Sequence, residues 1–305
     1  MSLQHAARFI LIAALAATSA ACAPTTTITD SPAPMAASTA DVHRFRIGAL
    51  EAMAVREGGA SVPNNNSVFG VGRTPEEVAA LLARAGLPTT SIPLSIQSLL
   101  VRTGDRLILM DSGGGPTYAS GGKLIASLGQ VGIQPAQITD IVISHSHGDH
   151  VGGLVANGAL AFPNARIHMA SAEWADFISK PANAETVALI TPKVVAAAPG
   201  GTVAPGITTF AIPGHTPGHQ GVEIVSGRER LLYIGDAAHS HVVSLARPEW
   251  RVRFDTDAPT SQASRRALMQ RAADQKLRVF APHFPYPGLG TVRTDGEGFA
   301  WVPAG

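Results

Sequence analysis

Residues 141–150 read IVISHSHGDH, a run of branched apolar residues that ends in three histidines and an aspartate within six positions. Such an apolar run bounded by turn formers predicts a buried strand. Imidazoles at i and i+2 on extended backbone project to the same side, so one metal ion can take both His145 and His147. The next turn carries Asp149 and His150 towards a second ion. A solvated polar loop is the competing reading, and the density of coordinating side chains argues against it.

Working outward, every apolar strand after residue 95 ends in a polar cluster: Asp111, the histidine run, His215 and His219, Asp236, and finally His283. Strand ends of this kind point to one shared sheet edge where ligands from distant parts of the chain converge. The remaining pattern mixes strands and helices throughout. Strands are expected over 43–55, 94–101, 108–115, 166–170, 207–212, 222–225, 231–235 and 277–282, with a hairpin turn at 103–105. Helices are expected over 74–87, where Thr74 caps and Pro75 opens the first turn, over 121–133, over 171–179 and near 259–274.

The segments LMDSGGG, SHSHGDHVGGL, PGHTPGH, YIGD and APHFP occur in the order found in the metallo-β-lactamase-fold hydrolase superfamily, which the chain resembles over nearly its whole length after the leader. The resemblance implies an α/β protein, a four-layer αββα sandwich of two mixed β-sheets flanked by helices. It also implies two divalent metal ions, zinc by default. His145, His147 and His219 would hold one ion, Asp149, His150 and His283 the other, and Asp236 would bridge them. His215 is expected to support the site rather than to bind metal, and Asp111 to orient a ligand or the glycine-rich turn. His239 and His241 could reach the site from its rim and are read as surface histidines or supports behind the ligands, not as extra ligands.

Two dications facing two carboxylates leave excess positive charge, so a bridging water should ionise near neutral pH and act as the nucleophile. Asp149 and Asp236 are then the catalytic carboxylates, with Asp149 or a metal-bound water returning the proton. The tail after Asp236, with FDTD ahead of a helix and His283 in HFPYPG, resembles the branch containing methyl parathion hydrolase and related lactonases and arylesterases. That branch implies hydrolysis of a lactone, carboxylic ester or phosphotriester, and a homodimer. The alternatives are a glyoxalase-II-type thioesterase, a β-lactamase-like amide hydrolase, and a non-catalytic metal-dependent binding lipoprotein. Phe69, Trp250, Phe284 and Tyr286 are the candidates for an apolar substrate wall, and Tyr233, inside a strand, is read as core.

The 305 residues carry 23 Lys+Arg against 22 Asp+Glu, without a basic stripe, which disfavours a nucleic-acid partner and leaves a small-molecule substrate. Residues 1–21 combine Arg8, an apolar stretch from Phe9 to Ala17 and small residues before Cys22, the pattern of an export signal. Cys22, the single cysteine, stands where a lipoprotein signal places its lipidated residue. The expected location is therefore the periplasm, a membrane-anchored lipoprotein, or secretion. Residues 22–41 read as a flexible linker, and 42–305 as the hydrolase domain.

Overall fold

The computed structural model describes Met1 and residues 37–118 and 121–304. Apart from Met1, the expected export signal, Cys22 and the linker as far as residue 36 lie outside the described residues. Ser38 is already tied to the first strand, its Oγ accepting the Arg44 N–H (2.9 Å).

Fourteen strands form two seven-stranded sheets, each following chain order. The first holds β1 (Val42–Ile47), β2 (Leu50–Pro63), β3 (Ser91–Thr103), β4 (Arg106–Met110), β5 (Asp140–Val142), β6 (Arg166–Ala170) and β7 (Val194–Ala197). Pairing is antiparallel from β1 to β4 and parallel from β4 to β7. The second holds β8 (Thr202–Ala204), β9 (Ile207–Ala211), β10 (Gln220–Ser226), β11 (Glu229–Tyr233), β12 (Arg278–Phe280), β13 (Leu289–Asp295) and β14 (Gly298–Pro303), with only β11 and β12 parallel. Seven α-helices are described: α1 (Pro75–Arg84), α2 (Leu124–Gln130), α3 (Gly148–Val151), α4 (Ser171–Ser179), α5 (Ala184–Ile190), α6 (Val243–Ala246) and α7 (Ala258–Asp274).

Period-two alternation explains the layering. Leu99, Val101, Ile108 and Met110 point inward and meet Ile224, Leu231, Tyr233 and Phe280 of the second sheet. Their neighbours Leu100, Leu107 and Leu109 point outward against Leu124 and Leu128 of α2 and Phe177 of α4. On the far side Leu232 and Val279 meet Leu268 and Met269 of α7. The central strands are thus apolar on both faces, and the αββα sandwich results. A smaller core gathers α1 with Phe69, Ile92, Val243, Trp250 and Val252.

Local sequence accounts for most boundaries. Thr74 and Glu77 form a capping box ahead of α1. The expected strand at 43–55 is a hairpin, because Gly48 takes a positive φ (56°) and passes so close to Ser226 that an added Cβ would lie 2.3 Å from its carbonyl oxygen. The expected helix at 121–133 shortens to α2, since the N–H groups of Gly122 and Leu124 donate to the buried Glu57 carboxylate instead. The hairpin of β13 and β14 went unread in the sequence.

Candidate metal centre

Strand β5 ends at Val142, and the chain continues without regular structure through Ser144–His147, bending at both ends, before α3 turns back. His145 and His147 leave this connecting segment, Asp149 and His150 the first turn of α3. The segment between β9 and β10 delivers His215, the turn after β11 delivers Asp236, and the turn after β12 delivers His283. One atom from each of His145, His147, His215 and Asp236 lies within 4.8 Å of all the others, and the same holds for Asp149, His150 and His283.

The sequence expectation about the PGHTPGH segment is corrected here. His215 Nε2 lies 3.2 Å from His145 Nε2 and 3.1 Å from His147 Nδ1. His219 has neither nitrogen free: Nδ1 donates to the Ile212 carbonyl (2.9 Å), and Nε2 accepts the backbone N–H of Asp236 (3.0 Å). It latches the Asp236 turn from beneath, in space left by Gly235, whose missing Cβ would lie 2.5 Å from His219 Nε2. His215 is thus the imidazole placed to bind and His219 the support.

Asp236 sits between the two groups. Its Oδ2 faces His145 (3.5 Å), His215 (3.4 Å) and His239 (3.1 Å), while its Oδ1 faces His150 (3.3 Å) and His283 (3.1 Å). Three of these rings are held from outside at their other nitrogen: His150 Nδ1 by Asp111 Oδ2 (2.7 Å), His215 Nδ1 by Asp255 Oδ1 (2.9 Å) and His283 Nδ1 by the Ser95 carbonyl (2.9 Å). Such outside contacts fix the tautomer and aim the other nitrogen. Asp111 also accepts from Ser144 and from the Tyr233 hydroxyl (2.6 Å), a fully buried core group. Asp255 is in turn bound by Arg265 (3.0 Å), a guanidinium with no exposed surface.

These residues fit divalent cations. Three imidazole nitrogens stand 3.0–3.2 Å apart, close to the edge of about 3.3 Å of a tetrahedron with Zn–N distances near 2.0–2.1 Å. His150 Nε2, Asp236 Oδ1 and both nitrogens of His239 are buried without a hydrogen-bond partner, a costly arrangement unless another group satisfies them. Burial drives the His145 ring well below its ordinary pKa, with His150 adding to the effect. Burial and His215 take His147 to about 4. Burial would raise Asp236, yet the imidazoles of His150, His283, His239 and His145 pull it well below the carboxylate range. Burial likewise opposes charge on His215 and His283, but Asp236 outweighs it and raises both. An ionised carboxylate ringed by imidazoles, whose protons a bound cation would displace, is a donor set for zinc or a similar ion.

Beside the centre lies a cavity of about 310 Å³ lined by Ala60, Val62, Leu94, Ile96, Phe254 and Tyr118, with Asp149, Asp236, His147, His239 and His283 on its floor. None of the four aromatic residues expected to wall the substrate lies there. Phe69 and Trp250 belong to the α1 core, Phe284 is fully buried edge-on to Trp301 (4.9 Å), and Tyr286 packs under Arg56 (4.2 Å). The walls come instead from β2 and β3, whose paired ends run past the sheet (Ala60 opposite Leu94, Val62 opposite Ile92). His239, expected at the surface or as a support, is buried beside Asp236; His241 faces a separate groove. Tyr118 was missed altogether, as was the partner role of Asp255, although FDTD had marked its position.

The fold and this site define the class. The family model for the metallo-beta-lactamase superfamily matches residues 92–283, and the chain belongs to that superfamily. Among solved structures it is similar to AidC, described as a dizinc quorum-quenching lactonase in complex with an N-hexanoyl-L-homoserine product, at 32% identity, TM-score 0.82, and 87% and 97% of the two chains. It is also similar to AbOPH, a hydrolase in the beta lactamase superfamily, at 26% identity, TM-score 0.78, and 88% and 99% coverage. A curated relative, "probable metallo-hydrolase" of Mycobacterium tuberculosis, is 27% identical over 48% of this chain. The chain spans 57% of that relative's length.

Proposed function

We propose that the chain is a dinuclear metal-dependent hydrolase that opens uncharged lactones, and that residues 1–21 export it with Cys22 as a lipid attachment point. The observation that carries the hydrolase reading is the division of Asp236, one carboxylate oxygen facing each group of imidazoles. Two bound dications would supply Lewis acidity for the acyl carbonyl and a shared water of lowered pKa. The protein's own residues then bind, orient and move protons. The aliphatic wall of Ala60, Val62, Leu94 and Ile96 excludes water from an acyl group. No Lys or Arg lines the cavity among the described residues, which suits a neutral substrate. His239, at the cavity floor with its Nε2 3.1 Å from Asp236 Oδ2, is placed beside both that carboxylate and a substrate oxygen. Tyr118 closes the opposite side; burial and the nearby Asp149 raise its pKa, keeping the hydroxyl protonated as a donor. Asp149, the more exposed of the two acids, at 19% against 4% for its side chain, can take the proton that the attacking water gives up and hand it to the leaving alkoxide. The likeness to AidC supports a lactone over an acyclic ester.

The test is metal analysis joined to turnover of lactones, aryl esters, phosphotriesters, thioesters and β-lactams. Two ions per chain, preference for lactones, and a loss of at least about 100-fold in kcat/KM for Asp236→Asn, about 2.7 kcal/mol in barrier, are expected. Unimpaired turnover by Asp236→Asn would overturn the proposal.

A further inference from the structure

Glu173 lies in the first turn of α4 with no exposed surface. An acid at that position ordinarily faces solvent beside the helix N-terminus. Here it turns inward, and no ion pair reaches it among the described residues. Its compensation is four donors divided between its oxygens. Oε1 accepts the N–H (2.7 Å) and hydroxyl (2.6 Å) of Ser146. Oε2 accepts the Thr216 hydroxyl (2.7 Å) and the Gly218 N–H (2.9 Å). Ser146 stands between His145 and His147, and Thr216 follows His215. One carboxylate therefore ties the loop bearing two imidazoles of the three-histidine half to the loop bearing the third.

Other links between these loops sit further back, where Gln220 bonds the carbonyls of Ser144 and Ile143. Glu173 joins them at the level of the imidazoles. The approach is close enough to require glycine at 218, whose added Cβ would lie 2.2 Å from the Glu173 nitrogen. His145, His147 and His215 have their nitrogens 3.0–3.2 Å apart, so a small slip of one loop would alter every distance in the set.

We propose that Glu173 is a positioning residue for the His145–His147–His215 half of the centre, setting how tightly that half holds its cation without touching cation or substrate. The inference rests on the two-cation reading above. In Glu173→Gln one of the two oxygens becomes an amide that cannot accept, so one loop is released. In Thr216→Val one hydroxyl contact to Oε2 disappears at constant side-chain shape, a gentler variant if the first folds poorly.

The experiment titrates the full zinc-loaded chain with a chelator and counts ions retained. It also tracks amide hydrogen exchange of the metal-free protein at Ser146 and Gly218. In Glu173→Gln one ion should leave at chelator concentrations about 10–100-fold lower than in the parent, the usual scale for losing a contact behind a ligand. The second ion should be held as before, and exchange at Ser146 and Gly218 should quicken. Thr216→Val should shift the same ion by less. Unchanged release and exchange would overturn the proposal, as would equal weakening of both ions together with a lower melting temperature. A parent that holds one ion would instead defeat the two-cation reading, and the exchange result alone would then decide whether Glu173 couples the loops.

Discussion

His215 and His219, four residues apart in one short segment, should fail in opposite ways when replaced by alanine. His215→Ala removes one of the four atoms gathered around the His145 side of Asp236. Loss of a contact merely behind a ligand costs about 10–100-fold in metal affinity, so loss of a ligand atom should cost at least about 100-fold. The metal-free fold should lose less, because the room gained by the crowded imidazole nitrogens offsets the Asp255 Oδ1 contact given up, and Asp255 keeps Arg265. His219→Ala leaves the Asp236 N–H and the Ile212 carbonyl buried and unpaired. Two net hydrogen bonds near 1 kcal/mol each, with desolvation of the orphaned groups, amount to about 2–4 kcal/mol. Urea unfolding of the chelated proteins and metal counting after dialysis separate the two. The expected result is a crossed pattern: His215→Ala short of one ion at near-parental stability, His219→Ala less stable yet still able to take up two. The reverse pattern would refute the assignment of His215 to the metal and His219 to the turn.

Asp255→Asn should cost about 3–5 kcal/mol in urea midpoint stability because it strands the buried Arg265 charge. Adding Arg265→Met should recover part of that loss, and a double variant as unstable as the sum of the single changes would contradict the pairing. Asp140, far from the centre, is fully buried; burial would raise its pKa, but hydrogen bonds from Arg106, His168 and Thr139 and the Arg106 charge bring it from 3.8 to about 2. A depressed carboxylate contributes its stability in full above its unfolded pKa and loses it as pH falls through the folded one. Asp140→Asn should therefore lower stability by about 2 kcal/mol at pH 7, a gap that closes between about pH 4 and pH 2. A gap that stays constant over that range would show that charge is not its origin.

The sequence by itself determined the sandwich and most of the centre. Strand periodicity is local, so β6 (Arg166–Ala170) and α4 (Ser171–Ser179) fall on the residues the pattern predicts. The i, i+2 spacing of His145 and His147 likewise fixes their common side whatever the rest of the chain does. Tertiary structure decided what local spacing leaves open. In PGHTPGH both histidines come after a glycine, and the choice between them came from the β11 turn, where Gly235 admits His219 beneath Asp236 and so leaves His215 to face His145 and His147. The cavity walls were illegible for the same reason. Ala60, Val62, Leu94 and Ile96 look like ordinary strand residues, and the aromatic side chains that suggested a pocket had larger apolar area to bury and took it in neighbouring cores. Glu173 and Asp255 are single acids in the sequence; their work depends on loops from elsewhere in the chain reaching them, contacts that only the assembled sandwich brings within hydrogen-bond distance.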